Sequence, residues 1–140
     1  MNPRFFLDTN VFIYAFEYNS SNSAMIIELL NDGEIDGVVS IQVIKEVVKY
    51  FETFHTPEPA RHFRRFLFES CTIILHEEVK NVMNEWRGKI KDKDLEQLAA
   101  AKKLGIRLIS YDRDFEPFDE YCTPKEFVRM MKMKMAETEY

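Results

Sequence analysis

Cysteine is scarce: Cys71 and Cys122 stand far apart, with no CxxC spacing. That excludes a disulfide framework and a zinc-ribbon site, and predicts two free, buried thiols in a reducing compartment. Histidine is scarce too. His55, His62 and His76 form no HExxH or other zinc spacing, so a structural role is the reading for all three. Excess positive charge is missing: 19 Lys and Arg face 24 Asp and Glu, for a net charge of −5. Such a chain does not hold nucleic acid by bulk charge alone, although a bound cation can supply positive charge locally. No apolar run approaches the ~20 residues of a membrane helix, and the first residues lack the charged start and cleavage site of a signal peptide. The expectation is an intracellular, cytoplasmic protein.

What is present is enough apolar material for a core. The chain has 140 residues, 46% hydrophobic and 31% charged, which suits a single folded domain over 1–140 with the last few residues as a frayed tail. Arg4–Leu7 reads as a short buried strand. Val11–Tyr18 fits helix or strand on pattern alone. In "SNSAMIIELLNDG", Ser21 to Ser23 offer N-caps, Ile26, Leu29 and Leu30 follow helical spacing, and Gly33 stops the helix. "DGVVS" is a second strand. Ser40 then caps a helix with the stripe Ile44, Val47, Val48, Phe51 and Phe54. Pro57 and Pro59 start the next helix, which faces Phe63, Phe66 and Leu67 inward.

"CTIIL" is a third strand, and Val79, Val82, Met83, Trp86 and Ile90 mark another helical face. Asp94-x-x-Gln97 reads as a capping box before "LAAAKKLG", with Gly105 as the stop. "IRLIS" is a fourth strand. A short fifth one precedes Thr123, Pro124 and Glu126, which form an N-terminal helix signature. Strands and helices alternate throughout. That order predicts a three-layer α/β/α fold on a parallel sheet of four or five strands. Ligands of such sheets bind beyond the carboxyl ends of the strands.

Asp8 interrupts the most apolar stretch of the chain, "RFFLDTNVFIYAF", at the end of the first strand. An unpaired buried carboxylate is strongly unfavourable, so Asp8 is either paired or faces something that binds it. Other acids lie near strand ends. Glu46 falls six residues past Ser40, at the edge of its helix's apolar stripe. Asp92 and Asp94 open the helix before strand four, and Asp112 and Asp114 follow strand four in "SYDRDF". Gathered in one cleft, these carboxylates repel unless some are protonated or hard cations neutralise them. An oxygen-only donor set favours Mg²⁺ or Mn²⁺, which can activate water and stabilise charge on a phosphodiester. Taken singly, Asp94 fits a helix cap, Asp112 and Asp114 fit turn residues, and Glu46 fits a solvated helix face. The joint pattern carries the metal reading.

Four segments, "FFLDTNVFIYAF", "VVSIQVIKEVV", "KDKDLEQLAAAKKLGIRLISYDRDF" and "TPKEF", resemble the PIN domain family of VapC-type toxins and related metal-dependent ribonucleases. Between Phe51 and Lys89 the resemblance lies only in the pattern of helices and a strand. It implies that Asp8, Glu46, Asp94 and Asp112 are the four catalytic, metal-binding acids. It implies supporting places for Thr9, Asn10, Ser40 and Ser110, with Asp92 and Asp114 as neighbours that substitute or assist. The family's activity implies hydrolysis of RNA that leaves 5′-phosphate and 3′-hydroxyl ends. A toxin of this type also implies a homodimer and a small antitoxin whose basic tail blocks the site. "KDKDLEQLAAA" departs from the "ADALIAA"-like stretch commonest among the toxins, which bears on the toxin role more than on the nuclease role.

Arg61, Arg64 and Arg65 share one face of the fourth helix, either as a solvated face or as a grip on RNA phosphates. Near the end, Phe127, Val128, Met131 and Met135 read as a docked stripe, leaving Met130 and Met133 for a partner. Two other functions fit parts of the pattern. One is a non-catalytic PIN binding module. The other is a haloacid-dehalogenase-type phosphatase, which also opens strand-Asp-x-Asp, but Asn10 stands where its second acid is needed.

Overall fold

The structure, a computed structural model, describes residues 2–133 and 136. Five strands form one parallel sheet: β1 (Arg4–Leu7), β2 (Asp36–Ser40), β3 (Cys71–Ile74), β4 (Arg107–Ile109) and β5 (Tyr121–Cys122), in the spatial order β3-β2-β1-β4-β5. β1 is central. Phe6 pairs with Val38 on one side and Leu108 on the other. Covered on both faces, its Phe5, Phe6 and Leu7 are all buried, which is why the strand is a continuous apolar run.

The helices are α1 (Thr9–Glu17), α2 (Asn22–Asn31), α3 (Ile41–Phe54), α4 (Pro57–Ser70), α5 (His76–Trp86), α6 (Asp92–Leu104) and α7 (Pro124–Met130). α1 to α4 and α7 pack in a linked group, while α5 pairs with α6 and α6 lies across β1 and β4. The result is the expected three-layer α/β/α arrangement. No helix among the described residues is long and apolar enough to cross a membrane.

Local chemistry explains most boundaries. Ser21, Ser40 and Thr123 each cap a helix by accepting a backbone N–H, from Ala24, Val43 and Glu126. Gly105 ends α6 in the left-handed region, with φ 64°. Gly37 serves close packing instead. A Cβ there would lie 2.9 Å from Leu30 Cδ1 and 3.1 Å from Leu7 Cδ1, so α2 sits tight on β2 because that position is bare. α3 and α4 meet through Phe51 and Phe63, stacked with centroids 4.8 Å apart. Both cysteines are free; Cys122 is buried and Cys71 half-buried. Burial pushes both thiols up to about 12, which leaves them protonated and unreactive.

Several expectations need correction. The ambiguous Val11–Tyr18 segment is helical, because Asp8 caps it and the helix starts at Thr9. Asp94 is not an N-cap. α6 begins at Asp92 after Lys91, which makes no side-chain cap, and places Asp94 third, inside the first turn. Gln97 therefore does not close a capping box; its amide nitrogen, turned inward, faces the carbonyls of Lys93 and Asp94 at 3.2 and 3.3 Å. Phe54 leaves the core stripe at the last position of α3 and is 68% exposed, its ring against Tyr50. α7 stops at Met130, because Lys132 turns left-handed at φ 57°. That turn brings Met133 back against the core and leaves Met130 exposed. Met135 and the expected frayed tail fall outside the described residues, apart from Ala136, whose N–H donates to Asn22.

Ser40 is fully buried with its hydroxyl committed to the α3 cap. Ser40→Ala is expected to cost about 1 kcal/mol in urea unfolding. An unchanged midpoint would show that the cap contributes nothing.

Candidate active site

The sheet order reverses at β1 and β4: the chain adds β2 and β3 on one side of β1, then crosses to β4 on the other. A crevice opens beyond the carboxyl ends of these two strands. Asp8 leaves β1 there and Ser110 leaves β4. Asp8 is buried, yet each of its oxygens is held. Oδ1 accepts from the Thr9 N–H at 2.8 Å; Oδ2 accepts from Ser110 Oγ at 2.8 Å and from Asn10 Nδ2 at 3.3 Å. Ser110 Oγ in turn accepts from the Asp112 N–H (2.9 Å) and Asn10 Nδ2 (3.0 Å). Asn10 thus bridges the two strand ends, and one hydroxyl fixes both Asp8 and the start of the loop that carries Asp112.

Around this anchor lies a cleft of about 210 Å³, lined by Asp8, Thr9, Asn10, Asp94, Asp112 and Glu46, with Ile13, Gln42, Lys93 and Gln97 completing the wall. α6 contributes Asp94 from its first turn. Asp94 is 6% exposed, and its Oδ2 is buried without a hydrogen-bond partner. A 3-10 turn at Arg113–Phe115 follows Asp112, whose Oδ1 accepts the Asp114 N–H. Ligand oxygens of Asp94, Asp112 and Asp114 lie within 4.8 Å of one another. Glu46 sits at the rim, on α3, exposed overall but with its carboxyl partly desolvated by the cleft.

Not every expected residue reaches the cleft. Asp114 joins the carboxylate trio but does not line the cleft; its Oδ2 is 3.1 Å from Lys91 Nζ. Asp92 is exposed at the start of α6 and belongs to neither group. Ser40 caps α3 and does not line the cleft. Arg61, Arg64 and Arg65 lie elsewhere, exposed on α4 around Phe68. Arg65 is paired with Glu69, and Arg64 lies over the Phe68 ring. Gln42, Ile13 and Lys93 were not singled out from the sequence. Helical spacing was their available signal: Gln42 is four residues before Glu46, and Ile13 four after Thr9.

Burial dominates the electrostatics. It pushes the Asp8 carboxyl up to about 6; the hydrogen bonds from Ser110 and Thr9 work against the rise, and Glu46 and Asp94 add to it. Asp94 is raised by burial and then by Asp112. Glu46 is raised by burial, with Gln42 and Thr9 opposing and Asp94 adding. Tyr111, beside the cleft, is pushed up to about 12 by burial and by the charge of Asp8. A crowd of carboxylates that resist ionisation, one with an orphaned buried oxygen, fits a hard divalent cation held by oxygen donors.

Comparison with known proteins agrees with this fold. The family model of the PIN domain matches residues 5–121. No curated protein sequence matches the chain. Among solved structures, a toxin–antitoxin complex from Klebsiella pneumoniae aligns with TM-score 0.62 and 22% identity, covering 86% of this chain and 98% of that one. VapBC-1 from nontypeable Haemophilus influenzae aligns with TM-score 0.60 and 20% identity, covering 95% and 96%. VapBC2 from Rickettsia felis, bound to a promoter DNA fragment, aligns with TM-score 0.59 and 16% identity, covering 86% and 96%. At these identities the likeness is one of fold.

A pH prediction follows from Asp8. Its folded-state pKa lies above the unfolded value, so its contribution is fully present below pH 3.8 and is lost as pH rises through about 6. In chelator, the metal-free wild type should lose on the order of 2 kcal/mol relative to Asp8→Asn between pH 4 and pH 7.5. Parallel stability curves for the two proteins would remove Asp8 as a strained carboxylate.

Proposed function

The chain belongs to the PIN domain family, and from that premise we propose that it is a Mg²⁺- or Mn²⁺-dependent endoribonuclease, a hydrolase of RNA phosphodiester bonds. The observation that carries the reading is the unpartnered, buried Oδ2 of Asp94, beside Asp112 and Asp114 at the sheet's switch point. A buried carboxylate oxygen without a donor is costly unless a cation uses it. Asp94 and Asp112, with Asp8 across the cleft, would hold the ion. When bound, it supplies a lowered pKa for water and charge stabilisation at the scissile phosphate.

The remaining work falls to the protein's own groups. Ser110 and Asn10 hold Asp8 Oδ2 in place, so its carboxylate meets the substrate side preorganised. Thr9 donates to Oδ1 through its backbone. Glu46, at the rim with a raised pKa, is suited to orient the attacking water and take up its proton. Lys93, on the cleft wall, offsets part of the negative charge where a polyanion approaches. Asp114 is a reserve ligand once Lys91 swings away from it.

The whole chain, 1–140, acts in this reading as a single cytoplasmic domain. The named neighbours are toxin–antitoxin complexes. We therefore assign this chain the toxin role, as a homodimer held inactive by a small antitoxin. The phosphatase alternative is disfavoured by Asn10, which donates its amide to Asp8 and has no carboxyl for acid–base work. A non-catalytic binding module would keep the fold without turnover.

Two measurements test the proposal. Mn²⁺ should raise the melting temperature of the wild type, and Asp94→Asn should lose most of that gain. The same substitution should lower cleavage of single-stranded RNA by about 100-fold or more while the apo fold persists. Wild-type protein that binds Mn²⁺ but never cleaves RNA would make the chain a binding module.

A further inference from the structure

Without a cation, the cleft's side chains repel a polyanion. Among the described residues lining it, Lys93 is the one cation, against Asp8, Glu46, Asp94 and Asp112. A bound cation meets the reacting phosphate, but with one basic side chain in the lining the rest of a nucleic acid strand has few charge contacts to hold it. Beside the cleft, aromatic rings stand in successive contact. Tyr111 lies between Ser110 and Asp112 in the chain, with its backbone N–H directed to Asn10 Oδ1 at 3.5 Å. Its ring meets that of Tyr14 with centroids 5.2 Å apart, and Tyr14 meets Tyr18 at 4.6 Å. None of the three rings lines the cleft; Tyr14 stands next to the cleft residue Ile13 in the chain, on a neighbouring side of α1. Tyr18, at the C-cap of α1, is 58% exposed. The strip therefore starts at the acidic loop and runs outward to a ring open to solvent.

An exposed tyrosine offers an uncharged π-face. Unpaired bases stack on such faces, and stacking tolerates any base. We propose that Tyr111, Tyr14 and Tyr18 form a stacking platform that leads single-stranded RNA into the carboxylate cleft, with Tyr18 as the outer base contact. Double-stranded RNA, whose bases stay stacked on one another, does not use it. This inference rests on RNA being the substrate, but it concerns binding and not the hydrolytic step.

The experiment measures binding of a fluorescein-labelled, single-stranded 2′-O-methyl RNA in chelator, alongside steady-state cleavage of unmodified RNA in Mn²⁺. Tyr18→Ala and Tyr18→Trp are compared with wild type. Tyr18 is exposed, so an unchanged melting temperature should accompany both. Tyr18→Ala is expected to raise Kd and KM by about ten-fold, and Tyr18→Trp to retain both. The value of kcat should stay within roughly two-fold, as expected for loss of binding common to ground and transition states. Kd and KM unchanged in Tyr18→Ala would overturn the platform. So would altered self-association with RNA affinity intact, since the strip would then be a protein interface. Wild-type protein that binds the oligonucleotide through Tyr18 yet does not cleave RNA would support the platform while refuting the nuclease reading.

Discussion

The hydrogen bond from Ser110 Oγ to Asp8 Oδ2, 2.8 Å long, joins the end of β1 to the end of β4. It exists because these strands are neighbours, and they are neighbours because the sheet order reverses between them. Asn10 bonds to both partners, and Asp112 donates its backbone N–H to the same hydroxyl. The positions of Asp8 and Asp112 in the cleft trace back to this junction. Asp8 also caps α1, so the helix that carries Ile13 and Tyr14 takes its direction from the same carboxylate. A single buried acid thereby orients a helix, a loop and a site.

The arrangement costs stability. Burial raises Asp8, Asp94 and Glu46 together, and each charge raises another. Nothing in the sheet requires so many acids at one end. Elsewhere several acids have close partners: Glu17 lies 2.6 Å from His55 Nε2 and accepts from Tyr50, Glu96 lies 2.7 Å from His76 Nδ1, and Glu120 pairs with Lys102. The cleft keeps its acids largely uncompensated, and local strain of this kind is expected where a ligand completes the structure.

The central strands were legible because a parallel strand buried on both faces is a plain apolar run, as in "RFFL" and "DGVVS". Asp8 was legible as an anomaly inside such a run. The sequence was ambiguous where two local rules agree with different answers. Val11–Tyr18 is apolar enough for a strand, and only the Asp8 cap decides for helix. Asp94 with Gln97 satisfies a capping rule, but the helix starts three residues earlier, after Lys91, and Asp94 lines the cleft. Gln42 and Lys93 carry no chemical signature, so they appear only once α3 and α6 are placed. The contact of Tyr111 with Tyr14 joins opposite ends of the chain and depends on the β1–β4 pairing, which no local pattern encodes.

The central claim is that the acids at the sheet's switch point hold a divalent cation. Anomalous diffraction from crystals soaked in Mn²⁺ tests it most directly. The account predicts a peak in the cleft within ligand distance of Asp94 and Asp112 oxygens, on the side facing Asp8. Crystals that diffract well at millimolar Mn²⁺ yet show no peak there would contradict it.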